Sequence, residues 1–564
     1  MYTCNLVLSL WRSTDTPVFT LIAAAEKCHP NDLKGLISFK TGIFSDTSGR
    51  LDTWIGRSCC EWDGITCDNR TGRVTQINLP GFYTSSDDTP LQTSMIGYIS
   101  PSITLLASLE AIDLSGLVGL TGEIPPSIGF RLPNLKKLSL WGNRIEGTLA
   151  ESICELSKLE ELYLYENRFF GSLPGNLGKL KSLKMLDLHS NRFSGFLPET
   201  ITNLTNLERF CIQNNFLTGE IPGNIGDFQG LKELDLSNNS LTGKIPASIN
   251  KLKAVSVIYL NNNQLVGKIP FFNQMSTLGF LRLNDNKLTG KIPNSFGYLI
   301  SLQRVSLAYN ELTGPIPSSL GNLRSLTEMY LNGNKLSGQL PRSIGRLSNL
   351  LMLRVSNNMI EGPLPRDMAF LENLQTLDLS FNRINLSSVP DWLLKLPSIS
   401  RIFLAGCKIQ GEIPGNLVST SSSLQELDLS DNNLTGQIPG WIGRLTELYS
   451  LNLSANFLVG EIPNPITNLA RLGILDLHSN KLEGGLPPSL ANVSSLERLK
   501  LQKNHFTGKI PNVFLNFKNL QELDLSDNFL EGKIPFGKPL IDFPRESYLG
   551  NKGLCGLPLE PCRP

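Results

Sequence analysis

The sequence predicts an α/β solenoid: a right-handed superhelix with a parallel β-sheet on its concave side, 3₁₀ or short helix on its convex side, and disulfides closing both ends. Three observations predict it. The motif L-x-L-x-x-N-x-[LF]-x-G-x-[IL]-P returns every 24 residues, with excursions to 23 and 25. One slot of the motif is asparagine in nearly every copy. Six of the 10 cysteines flank the repeats instead of interrupting them. A fixed period of this size marks a stacked array, which can lengthen without enlarging a single core.

In chain order, residues 1–25 read as a leader. Two apolar runs, NLVLSL and VFTLIAAA, are split by WRSTDTP, and Ala23–Ala25 suits signal peptidase, although a basic n-region is missing. Cys4 belongs to this segment. Residues 26–72 read as an N-terminal cap. CHPNDLKGLISFKTGI has the pattern of an amphipathic helix, and LDTWIGRSCCEWDGITC follows it. Cys28, Cys59, Cys60 and Cys67 allow three pairings. A bond between adjacent Cys59 and Cys60 is strained, and Cys28–Cys59 with Cys60–Cys67 is the preferred pairing.

Residues 73–535 hold about nineteen repeats. Regular ladder asparagines run from Asn143 to Asn382 and from Asn432 to Asn528, with Cys407 in one slot. This is the leucine-rich period. In L-x-L, alternation sends both leucines inward and the x residues outward. The asparagine sits where the chain turns inward and can bond backbone groups that the sheet leaves unpaired. Glycine permits the bend, and I-P sets an extended segment with fixed φ. At about 4.8 Å per strand, nineteen copies make a rod roughly 90 Å along its sheet. Such a rod needs capped ends, and residues 536–564 supply the second cap, closed by Cys555 and Cys562.

Charge is balanced, 51 Lys+Arg against 50 Asp+Glu, so nothing demands a nucleic acid or an anionic membrane. No run reaches the ~18 apolar residues of a membrane helix. Seven N-x-[ST] sequons, at Asn69, Asn203, Asn238, Asn385, Asn433, Asn452 and Asn492, join the terminal cysteines in pointing to an oxidising, secretory setting.

The I-P-bearing repeat and the C…W…CC-x-W-x-G-I-x-C cap resemble plant extracellular leucine-rich-repeat proteins. These include receptor-like kinases, receptor-like proteins and the shorter polygalacturonase-inhibiting proteins. The resemblance covers residues 28–562. The insertion FYTSSDDTPLQTSMIGYISPSI resembles the DNA-damage-repair/toleration-type secreted subgroup. It implies a recognition protein, extracellular or on the outer face of the plasma membrane. Such a protein would bind a peptide, protein or glycan ligand and signal through a receptor-kinase co-receptor met by the C-terminal repeats. Two alternatives go with the resemblance: an apoplastic inhibitor of microbial cell-wall-degrading enzymes, and a truncated receptor kinase.

The repeats also serve as an internal alignment. The slot inside L-x-L is most often Asp and the slot after it often Ser. Departures gather in two windows: Trp141, Tyr163, Tyr165 and His189, then Tyr259, Arg282, Arg304, Tyr330 and Arg354. Aromatic and Arg side chains on an exposed rigid sheet suit ligand binding. Drift is the plain alternative, since strands tolerate aromatics. Asn452 occupies an L-x-L slot, so a glycan there would stand on the concave face. Asp187, His189 and Cys211 imitate a nucleophilic triad. However, a nearby carboxylate suppresses thiolate formation, and D-L-H recurs at Asp476–His478 without a cysteine. The histidines lack metal-ligand spacing, and no phosphate loop or cofactor motif is present.

Overall fold

A computed structural model describes residues 28–84, 90–414 and 423–562; the expected leader and Cys4 lie outside them. The main sheet starts with Ile65–Cys67, antiparallel to Val74–Asn78. From Val74–Asn78, nineteen short strands run parallel in chain order to Glu522–Asp524. Leu162, for example, is in register with Leu138 on one side and Leu186 on the other. The first and last strands each have a neighbour on one side only, so the described sheet is an open ladder.

Alternation explains each strand. In Glu161–Tyr163 the central leucine is buried and its neighbours are half-exposed. The inward leucines of successive coils lie on one another, joined by rings such as Phe169 and Phe193 with centroids 6.0 Å apart. On the convex side the chain forms 3₁₀ turns, for instance Asn294–Tyr298 and Ser318–Asn322. Pro293 and Pro317 precede them at φ −66° and −71°, as a residue without an N–H and with fixed φ allows. The bend before each proline needs positive φ, which Gly290 and Gly314 provide at 80° and 76°.

The asparagines tie the coils together. Asn358 Nδ2 donates to Leu331 O of the preceding coil (3.0 Å) and to Val355 O and Ser356 O of its own (3.0 and 3.2 Å). Its Oδ1 accepts from Leu336 N of the preceding coil at 2.9 Å. The pattern repeats along the array and extends one rung past the expected set. Asn551, in the C-terminal segment, donates to Leu525 O and Tyr548 O and accepts from Leu530 N. At Cys407 the rung is a thiol donating to Leu379 O at 3.1 Å.

Both ends are closed. The helix Pro30–Thr41 buries Leu36 and Phe39. Its Asp32 is fully buried and takes a bidentate pair from Arg73 (2.9 and 2.8 Å) plus the Val74 amide, fixing the helix to the first parallel strand. Disulfides join Cys28 to Cys59, Cys60 to Cys67, and Cys555 to Cys562. Among the described residues, no helix is long and apolar enough to cross a membrane.

Removing a rung strands several buried backbone groups at about 1–3 kcal/mol each. Asn358→Ala is expected to lower stability by more than about 2 kcal/mol in denaturant unfolding. Asn357→Gly, one residue earlier at an exposed position of positive φ, is expected to leave it nearly unchanged.

Candidate functional site

Strict register turns the outward slots into continuous rows. One row reads Ser139, Tyr163, Asp187, Cys211, Asp235, Tyr259 and Arg282, and continues through Tyr330, Arg354, Asp378, Phe403 and Asp428. The nine candidate binding residues all lie on this face, and all are half-buried rather than fully exposed. The cause is contact between coils, because each long side chain lies against its neighbour one strand away.

In the first window the contact is ring on ring. Trp141 and Tyr165 stack at 5.0 Å, and Tyr165 and His189 at 4.5 Å, with interplanar angles of 7° and 11°. His189 Nδ1 lies 2.6 Å from Asp187 Oδ1. At the other end Phe82 stacks on Trp141 at 6.0 Å and 12°. Phe82 opens a strand, Phe82–Thr84, that pairs antiparallel with Pro90–Gln92 in the insertion. The repeat alignment could not find Phe82, because the insertion has no counterpart in other copies. Gly116 makes the bridge possible: a Cβ there would meet Phe82 Cδ2 at 2.6 Å. Tyr163 lies in the adjacent row. Burial, then Glu161, holds its phenol above the ordinary range. Burial, then Asp187, does the same for Tyr165. Both hydroxyls therefore stay protonated donors.

In the second window the contacts are charged. The Arg282 guanidinium lies 4.7 Å from the Tyr259 ring centroid, and that of Arg354 lies 5.9 Å from Tyr330. Arg304 Nε pairs with Glu328 Oε1 at 3.1 Å, and Tyr330 OH donates to Glu328 Oε2 at 3.0 Å. Glu328 is thus the shared acceptor of this cluster, a role its ordinary slot did not reveal. Phe403 departs from the Asp background as plainly as Tyr259 does, yet it sits in the irregular stretch near Cys407 and stands apart from both windows.

The triad-like group does not assemble as a catalytic centre. Cys211 is in register between Asp187 and Asp235 but is fully buried, so its sulfur meets no substrate. Burial, with Glu151 adding at Cys154, pushes the thiols of Cys154 and Cys407 up to about 12. The Asp–His contact recurs at Asp476–His478, also at 2.6 Å, far from any such cysteine. The one cysteine-rich cluster with metal-like spacing among the described residues, Cys59, Cys60 and Cys67, is consumed by disulfides. Six of the seven sequon asparagines are exposed. Asn452 is half-buried in the concave row, its Oδ1 accepting from Ser454 N and Oγ at 3.1 and 2.7 Å.

The architecture defines a solenoid whose concave sheet carries one rigid, composite face. The comparisons agree with that class. The family described as "Leucine rich repeat" matches residues 133–193, 205–265, 276–336 and 422–482, and shorter matches cover 373–396, 495–517 and 519–537. "Leucine rich repeat N-terminal domain" matches 29–68. The DNA damage-repair/toleration protein DRT100 of Arabidopsis thaliana is 37% identical over 149 residues, 25% of this chain and 39% of that protein. The match thus spans well under half of that relative's length. The PEPR1–AtPEP1 crystal structure is 30% identical with a TM-score of 0.76, covering 89% of this chain and 76% of that one. The Arabidopsis HAESA ectodomain with its peptide hormone ligand IDA is 32% identical with a TM-score of 0.72, covering 93% and 98%. The chain belongs to the leucine-rich-repeat family, in the branch that contains plant receptor ectodomains and receptor-like proteins.

Two outcomes follow from the site chemistry. Iodoacetamide on the native protein is expected to leave Cys211, Cys154 and Cys407 unlabelled, with all three labelling after denaturation; peptide mass mapping reads both states. Burial holds the Asp235 carboxyl up at about 6 against the opposing hydrogen bonds from Ser237. The folded state therefore keeps this proton when the unfolded chain has lost it. The associated stability is full below about pH 4 and is lost as pH rises through about 6, on the order of 3 kcal/mol. Asp235→Asn is expected to flatten that part of the stability–pH curve in denaturant titrations.

Proposed function

We propose that the chain is a secreted or cell-surface recognition protein. It binds a peptide or protein ligand on its concave face and works with a receptor-kinase partner. The observation that carries this reading is the run of stacked rings from Phe82 to His189, with the Tyr259–Arg354 cluster further along the same face. A surface whose side chains brace each other binds with little further loss of side-chain entropy. Aromatic and arginine groups on it supply contact area and forked hydrogen bonds.

Similarity supports the same reading. HAESA has been solved with the peptide hormone IDA and the co-receptor SERK1, at 30% identity and 98% coverage of that chain. Disulfides at both ends and exposed sequons fit an extracellular location. Among the described residues the free thiols of Cys154, Cys211 and Cys407 are buried, which argues for recognition over catalysis.

The test is a screen of the secreted, glycosylated protein against synthetic secreted-type peptides and purified microbial proteins. Tyr163→Ala with Tyr165→Ala is expected to weaken binding of any hit by tenfold or more, with little change in Tm. Unchanged affinity dismisses the concave assignment.

A further inference from the structure

The slot just before each ladder asparagine forms a second row, on the rim beside the concave sheet. Its backbone is left-handed in coil after coil, for example Asn262 at φ 54°, Asp285 at 55° and Asn357 at 54°. Asn, Asp, Ser and Gly suit that conformation, and most coils use such residues. Two coils place a bulky ring there instead: Tyr309 at φ 51° and Phe381 at 55°. A large side chain in this region is disfavoured unless something else selects it.

Both rings are exposed, 57% for Tyr309 and 51% for Phe381. Each lies against a glycine in the same slot of the next coil. A Cβ at Gly333 would meet Tyr309 Cδ1 at 2.6 Å, and one at Gly406 would meet Phe381 Cδ1 at 2.5 Å. The same point at Gly406 is 3.4 Å from Asp431 Oδ2, so a carboxylate borders the Phe381 ring. Exposed Asp285 precedes Tyr309 in the row, and exposed Asn357 precedes Phe381. At the sheet spacing the two platforms stand three coils, or about 14 Å, apart.

We propose that this rim row is a second binding site, separate from the concave face, for a neutral oligosaccharide. Tyr309 and Phe381 act as stacking platforms, and Asp285, Asn357 and Asp431 bond the sugar hydroxyls. A ring packed on glycine offers one flat face, which matches the flat C–H face of a pyranose. A peptide would find less here. The row's amides are spent coil to coil, as in Tyr309 N to Asn332 O (2.8 Å) and Asn357 N to Ser380 O (2.8 Å), so no strand edge is open to it. The carboxylates at the row's ends disfavour acidic sugars.

The experiment titrates the intact glycoprotein with cellohexaose, chitohexaose and xyloglucan heptasaccharide, by calorimetry and saturation-transfer NMR. Binding of at least one is expected, weakened tenfold or more by Tyr309→Asn with Phe381→Asn. That variant should keep or raise Tm, since asparagine suits the left-handed slot. The Tyr163→Ala, Tyr165→Ala protein should bind the sugar normally. Asn238 lies three coils earlier in the same row and heads a sequon. Binding seen only in Asn238→Gln assigns the site to the chain's own glycan and supports the same chemistry. The proposal is overturned if neither form binds any of the three sugars, if the double asparagine variant binds as well as the parent, or if binding is lost with the concave tyrosines.

Discussion

Where each coil turns inward, backbone carbonyls point into a dry interior with no strand to receive them. One asparagine per coil answers them, and everything else in the molecule depends on that bond set. The amide reaches back to the preceding coil with both its donor and its acceptor, as Asn310 does to Leu283 O and Leu288 N. The contact therefore sets both the turn and the register between coils. Surface ion pairs between coils, such as Lys184–Glu160, are exposed and add little.

Fixed register has a chemical consequence on the concave side. Ring centroids 4.5–6.0 Å apart are close to the strand spacing, so aromatic residues in the same slot of successive coils stack on one another. Their faces are largely used up in that contact. The face presents ring edges, phenol hydroxyls and an imidazole held by Asp187, a more polar surface than the residue names suggest. On the rim the neighbouring slot of the next coil is a glycine, not a second ring, and Tyr309 and Phe381 stay exposed.

Much of this could be read from the residues, for a physical reason. The repeat is its own alignment, so the asparagine slot, the L-x-L alternation and the glycine–proline turn identify themselves by recurrence. What could not be read depends on contacts between slots or on segments without a counterpart. Phe82 comes from an insertion. Cys211 lies in an outward slot, between Asp187 and Asp235, and yet is buried. Asn551 completes the ladder from a segment, SYLGN, whose leucines no longer match the motif. The half-burial of Tyr163 and Tyr165 likewise follows from neighbours on adjacent coils, which no single copy encodes.

Cys407 carries a consequence for how the array fails. A thiol offers one weak donor where the coils on either side have a four-bond or larger amide rung, and Asn385 N turns to Cys407 O beside it. In a quasi-linear array, cooperativity passes through nearest-neighbour interfaces. The rung at this coil is weaker than the amide rungs on either side, so coupling drops between a longer N-terminal block and a shorter C-terminal block. A pull along the axis meets a softer joint here than at the amide rungs on either side, and each block keeps its own capped end.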